Sequence, residues 1–239
     1  MKKLNLTFDM ETLSLRPDAA IISIAAVPFM FDREDVCALG TAEEGVPAYE
    51  SLFRSNPCND KWDPFYETVD ATTCAMAGMA FDMSTVEFWA SQPDEIKAAI
   101  LNERSVSIRN ALEDFLIYLE NMKSSHDVDE VVLWVQGSDF DIPVLKNALY
   151  KIMELTPENL PWKYNNIRDA RTYLLETEIM LSGGKQVEPY STMEVYEDLV
   201  KHHSLHDCIH TALNLIGQQR KIIFAMENKN NGKDEDSPE

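Results

Sequence analysis

The longest apolar run in the chain, Ala19 to Phe31, spans thirteen residues and is closed at both ends by aspartate, Asp18 and Asp32. A membrane span needs roughly 20 residues, so this run is too short to cross a bilayer and reads as a buried strand or strand pair. Its Ile, Val and Phe content favours a strand over Ala20–Phe31. Pro28 inside it predicts a bend, a bulge or a sheet edge. A strand this apolar needs other elements on both of its faces. With 239 residues the chain has enough length for one large domain or two small ones around a sizeable core. Its composition, 45% hydrophobic and 26% charged, is that of a globular protein.

The rest of the chain supplies candidate covering elements. Leu4–Phe8 reads as a short strand running into Asp9, and Phe65–Val69 as another. Between Asp32 and Asp63, glycines, prolines and scattered acids predict a long loop or irregular hairpin insertion, over 32–63. Ser84 and Thr85 are candidate caps for a helix starting near Val86, and Pro93 suits the first turn of a helix over Asp94–Leu101. Ser107 is a candidate cap for a third helix, with Ala111, Leu112, Phe115, Leu116 and Leu119 on one face. Val131–Val135 is a compact strand. Asp141–Met153 has helical spacing, Asp169–Leu175 predicts a short helix, and Thr192–Val200 and Leu205–Phe224 predict the last two. A folded domain over 1–226 and a disordered acidic tail over 227–239 follow. Strands first, then helices interleaved with strands, is a mixed α/β order.

Charge narrows the function classes. The chain carries 41 acidic against 21 basic residues, a net charge of −20. Five acids and two lysines in the tail account for −3, so the folded part carries −17. A non-specific basic DNA-coating protein is excluded, and an anionic-membrane binder is disfavoured. A nuclease is not, because bound divalent metals can supply the positive charge that its site needs. Cys37, Cys58, Cys74 and Cys208 are irregularly spaced with no CxxC pair, which points to reduced thiols in a cytosolic-type compartment. No apolar signal-peptide core follows Met1-Lys2-Lys3.

Three segments carry candidate chemistry. In Phe8-Asp9-Met10-Glu11-Thr12, carboxylates at i and i+2 of an extended segment point the same way and repel unless a cation lies between them. Hard cations such as Mg²⁺ take such oxygen ligands. Taken alone, Asp9 can equally cap a turn and Glu11 can be solvated. In Trp134-Val135-Gln136-Gly137-Ser138-Asp139-Phe140-Asp141 an apolar strand runs into a turn and an Asp at a helix start, where Asp141 by itself reads as a cap. In His202-His203-Ser204-Leu205-His206-Asp207, an Asp early in a helix with a His just upstream can put a metal ligand and a general base in one pocket. His203 and His206 read as solvent-facing.

Together and in this order, Asp-x-Glu, Phe-Asp and His-x4-Asp resemble the DEDDh 3'-5' exonucleases of the DnaQ-like group. The similarity is closest to the branch of phage exonuclease A and bacterial 3'-5' exoribonuclease-like proteins. It is carried by Phe8-Asp9-x-Glu11-Thr12-Leu13, Ala20 to Val27, Thr85-x-x-Phe88-Trp89-x-x-Gln92, Trp134-x-x-Gly137-x-x-Phe140-Asp141, Arg168-Asp169-x-Arg171-Thr172 and His202-x4-Asp207, over roughly 4–216. Departures are the long 32–63 stretch, Ala25 where the branch has Gly, and Ser204 and Cys208 where it tends to Ala.

The resemblance implies an RNase H-like fold with a central mixed five-stranded sheet flanked by helices. It implies that Asp9, Glu11, Asp141 and Asp207 hold two Mg²⁺ or Mn²⁺ ions, which stabilise the attacking and leaving oxygens of phosphoryl displacement. His202, selected over His203 by the family spacing, takes a proton from the attacking water, and a nucleoside 5'-monophosphate leaves the 3' end. Thr12 and Leu13 border the terminal nucleotide, and Phe140 joins them in contacting substrate. Trp89 reads as structural or as part of the cleft, and Arg171 as a structural ion pair. A bacterial or phage-infected host cytoplasm and a homodimer are further expectations. No basic strip is visible, so weak, distributive action on short or single-stranded 3' ends is expected. RNA and DNA both stay open. A catalytically silent nucleic-acid-binding or protein-interaction module on the same fold is the alternative, and an unrelated acidic α/β protein a third reading.

Overall fold

The computed structural model describes residues 1–31, 64–100, 104–188 and 199–231. Five strands, β1 (Lys3–Thr12), β2 (Ile21–Phe29), β3 (Phe65–Thr68), β4 (Glu130–Val135) and β5 (Ile167–Asp169), form one sheet in the order β3-β2-β1-β4-β5. β1 pairs antiparallel with β2, and β2 with β3, whereas β1, β4 and β5 run parallel. The α-helices among the described residues are α1 (Ala71–Met76), α2 (Met83–Ala90), α3 (Asp94–Ile100), α4 (Ile108–Ser125), α5 (Asp141–Ile152), α6 (Ala170–Leu181) and α7 (Ser204–Asn231). This mixed sheet flanked by helices is the RNase H-like arrangement that the resemblance implied. Among the described residues, no helix is long and apolar enough to cross a membrane.

Strand alternation divides the core in two. Leu4, Leu6, Phe8 and Met10 of β1 pack with Leu112 and Phe115 of α4 and Leu145 and Leu149 of α5. On the other face Val27 and Phe29 of β2 and Trp134 of β4 meet Leu174 of α6 and Ile209 and Leu213 of α7. Phe115 is fully buried between Phe8 and Phe65, with ring centroids 5.3 Å from each. Burying a side chain of this size contributes roughly 1.5–3 kcal/mol. Both faces of the sheet are covered, so β2 is buried along its whole length and needs no polar alternation.

Several elements differ from expectation. β1 extends to Thr12, because Asp9 and Glu11 stay in the ladder opposite Ala25 and Ser23. Pro28 is tolerated because β3 pairs only with Ser23–Ala26, so beyond Ala26 no described strand asks the outer edge of β2 for a donor. α2 begins at Met83, placing Ser84 and Thr85 in its first turn rather than at its cap. The cap position is Asp82, whose carboxylate instead accepts from Ser14 Oγ at 2.6 Å. Ser107 caps α4 as anticipated, accepting from the Asn110 amide. α6 reaches Leu181 from its cap Asp169, well past Leu175. α7 continues through Asn231 into the segment read as tail; once nucleated, a helix gains one bond per residue without an apolar face. The expected 32–63 insertion lies outside the described residues, as does nearly all of the helix expected over Thr192–Val200. Cys74 and Cys208 are buried free thiols, whereas Cys37 and Cys58 lie outside the described residues.

Candidate active site

Pairing between β1 and β4 ends at Thr7 and Trp134, so Asp9–Thr12 run on beyond the end of β4 at Val135. The carboxyl ends of neighbouring parallel strands open a crevice in α/β sheets, and here the overshooting strand lies in it. Alternation sends Asp9 and Glu11 to the face that α7 covers, together with Thr7. α7 approaches this face closely because the residues beneath it are small. Ser23 and Ser204 hydroxyls are 2.8 Å apart, Thr7 Oγ1 donates to the Cys208 carbonyl at 2.9 Å, and Cys208 Sγ lies 3.5 Å from the Ala25 carbonyl. Ser204 therefore finds a buried partner in Ser23, and the first turn of α7 carries Asp207 over β1. From the other side, β4 runs on into Gln136 and Gly137, which adopts φ +107°, a conformation that favours glycine. That turn leads into α5, whose first residue is Asp141, only 4% exposed and not the solvent-facing cap it resembles in sequence.

The four acids line one cleft of about 710 Å³, together with Phe140, Lys201 and His202. Carboxylate oxygens of Asp9, Glu11 and Asp207 all lie within 4.8 Å of one another. The acids strain against this proximity. Burial pushes Asp9 well above the usual carboxylate range, and Asp141, Glu11 and Asp207 push it further. Glu11 is pushed up to about 8 by burial, then by Asp207 and Asp141. Burial raises Asp141 to about 7, against hydrogen bonds from its own amide and that of Met10. Asp207 rises to about 6 by burial, opposed by the His202 amide, which donates to its Oδ2 at 3.1 Å, and by Lys201. Among the described residues no lysine or arginine forms an ion pair with any of the four. An all-oxygen, net-negative donor set without a basic partner suits a hard divalent cation, and Asp9, Glu11 and Asp207 could hold one.

His202 stands in the turn before α7 with φ +61°, unusual for a residue with a Cβ. Its ring is exposed to the cleft and meets Phe88 edge-on at 5.1 Å and Trp89 at 6.4 Å. Loss of hydration and then Lys201 lower its pKa, which keeps it neutral and able to accept a proton at neutral pH. Trp89 is tied into the site by its indole N–H, which donates to the Thr12 carbonyl at 2.8 Å.

Sequence reasoning named Asp9, Glu11, Asp141, Asp207, His202 and Phe140, and the structure brings them to one cleft. Thr12 and Leu13 are not among the residues lining it. The Thr12 hydroxyl is buried and donates to the Ser14 carbonyl at 2.7 Å, and Leu13 lines a neighbouring apolar pocket with Phe81, Val86 and Trp89. Arg171 donates to the Gln136 carbonyl at 3.2 Å; against burial, the Thr172 and Ser138 amides, and least of all Arg171, hold Asp169 below the usual carboxylate range. His203 and His206 are partly buried and stacked on each other, not solvent-facing. Sequence reading missed Gln136, Lys201, His210 and Thr211 in the cleft. His210 and Thr211 lie three and four residues after Asp207, the helical spacing that shares a face and the one signal that could have found them.

A family model, the 3'-5' exoribonuclease Rv2179c-like domain, matches residues 4–215. No individual curated protein matches the chain. The matched range runs from the start of the first acid-bearing strand to beyond the last acid, and so contains the whole cleft. The chain belongs to the Rv2179c-like 3'-5' exoribonuclease domain family, a family of hydrolases that act on nucleic acid.

Proposed function

We propose that this chain is a DEDDh-type, metal-dependent exonuclease, nearest to the phage exonuclease A and bacterial exoribonuclease-like branch. It releases nucleoside 5'-monophosphates from the 3' end of single-stranded RNA or DNA. The observation that carries this reading is the convergence of Asp9, Glu11 and Asp207 within 4.8 Å, in a cleft shared with Asp141 and His202. In this reading Asp9, Glu11, Asp141 and Asp207 hold two Mg²⁺ or Mn²⁺ ions. When bound, these supply the positive charge that an anionic phosphodiester and its developing oxyanion need.

The chain's own groups do the rest. His202 accepts a proton from the water that attacks phosphorus, the P–O3' bond breaks, and the leaving O3' takes a proton from solvent to become the new 3'-hydroxyl of the shortened strand. Its neutral state at pH 7 and its exposure on the cleft wall fit that role. Lys201, exposed on the same wall, offers an ammonium to the backbone phosphate of the incoming strand. Phe140 offers an apolar surface to the terminal nucleotide.

The test uses 5'-labelled single strands of RNA and DNA of one sequence, incubated with Mn²⁺, Mg²⁺ or EDTA. Wild type is expected to shorten one or both from the 3' end with metal only, and Asp9→Ala and His202→Ala to lose the ladder. Folded wild-type protein that leaves both strands intact with either metal would overturn the reading.

A further inference from the structure

The turn that carries His202 offers two adjacent imidazoles, and the geometry decides between them. The His203 ring lies between two others. It stacks on Tyr66 of β3 with centroids 4.8 Å apart and planes 26° apart, and on His206 of α7 at 4.3 Å and 21°. The sheet register explains Tyr66: it pairs with Ala25, which pairs with Asp9, so all three share a row across the sheet beside α7. His203 Nδ1 is buried without a hydrogen-bond partner, and the ring is covered by Tyr66 and by His206. Its carbonyl accepts the Asp207 amide at 2.9 Å, and the His206 Nδ1 accepts the Val200 amide at 3.0 Å. The residues on both sides of His202 are thereby anchored, and its side chain, on a left-handed backbone, lies against Phe88 and Trp89 of α2 and lines the cleft.

We infer that the Tyr66–His203–His206 stack is a positioning device that holds the His202 turn in its left-handed conformation and so presents His202, and not His203, to the reacting water. This rests on the reading of His202 as the general base. The stack touches neither substrate nor the reacting atoms, and acts through His202. Its loss should let the turn relax, and a displaced base slows the chemical step more than it weakens substrate binding.

The experiment measures kcat and KM on a short 3' end with Mn²⁺ for wild type, His202→Ala, His203→Gln, His203→Phe and Tyr66→Phe. Each variant's melting temperature is recorded with and without Mn²⁺. His203→Gln keeps bulk and polarity but no ring face, and kcat is expected to fall roughly tenfold to a hundredfold at unchanged KM. Its Mn²⁺-induced gain in melting temperature should stay that of wild type, which shows the fold and the acids intact. His203→Phe and Tyr66→Phe keep the faces and should retain most of kcat. Full activity in His203→Gln, or His203→Phe as slow as His203→Gln, would overturn the inference while an inactive His202→Ala leaves the base assignment standing. A fully active His202→Ala would remove the base assignment itself, and the inference with it.

Discussion

Asp141 sits buried beside three other carboxylates, and the fold resists its charge. Its folded pKa, about 7, lies above the unfolded value of 3.8. A raised carboxylate favours the native state when protonated, so the penalty is absent below the unfolded value, grows as pH rises, and is complete above about pH 7. Glu11, pushed up to about 8, acts in the same direction. Two outcomes follow. In EDTA at pH 8, Asp141→Asn should melt higher than wild type, by on the order of 1–2 kcal/mol, which is about 2–8 °C for a chain of this size. Mn²⁺ should raise the wild-type melting temperature more at pH 8 than at pH 5, where protons compete for the same oxygens. Differential scanning fluorimetry across pH reads both. A wild type that melts above Asp141→Asn in EDTA at pH 8 would mean that the site is already neutralised by something within the fold.

At the scale of elements, the site depends on how closely α7 lies on β1 and β2. Ser23 and Ser204 are both fully buried and bonded to each other. Replacing either one by alanine strands the other's hydroxyl, at a cost of about 1–3 kcal/mol. Replacing both leaves a small apolar pair and should cost less than the two singles summed, a coupling that urea titrations of the four proteins would reveal. Strict additivity would show that the two hydroxyls do not depend on each other. The same elements show what a sequence reader can and cannot see. Asp9 and Glu11 are legible because a strand has period two and repeats its side on every second residue. Asp141 hides as a helix start, because an exposed cap and a buried ligand carry the same residue at the same position. α1, Ala71–Met76, carries no apolar period, and β5 has three residues, so neither stands out locally. The stack on His203 is illegible for another reason: Tyr66 lies 137 positions away, and only the register of three strands brings the two together.

Over the whole molecule, charge sets how substrate arrives. The net charge of −20 repels a polyanion, and the cleft attracts it only within reach of its own cations. Screening acts over about 30 Å at 0.01 M salt and about 8 Å at 0.15 M, so added salt shields the body before it shields contacts inside the cleft. For a long single strand, kcat/KM at fixed Mg²⁺ should therefore rise or hold level as monovalent salt increases over this range, whereas a dinucleotide should respond weakly. A steep fall with salt on the long strand would reveal a basic track that the described residues do not show. The family match spans 4–215 and so contains the acidic cleft. The central claim is that its four acids are a metal centre. Crystals soaked in Mn²⁺ and measured at the manganese absorption edge test it most directly. Two anomalous peaks among Asp9, Glu11, Asp141 and Asp207 are the predicted result, and an ordered cleft with no peak there would contradict the account.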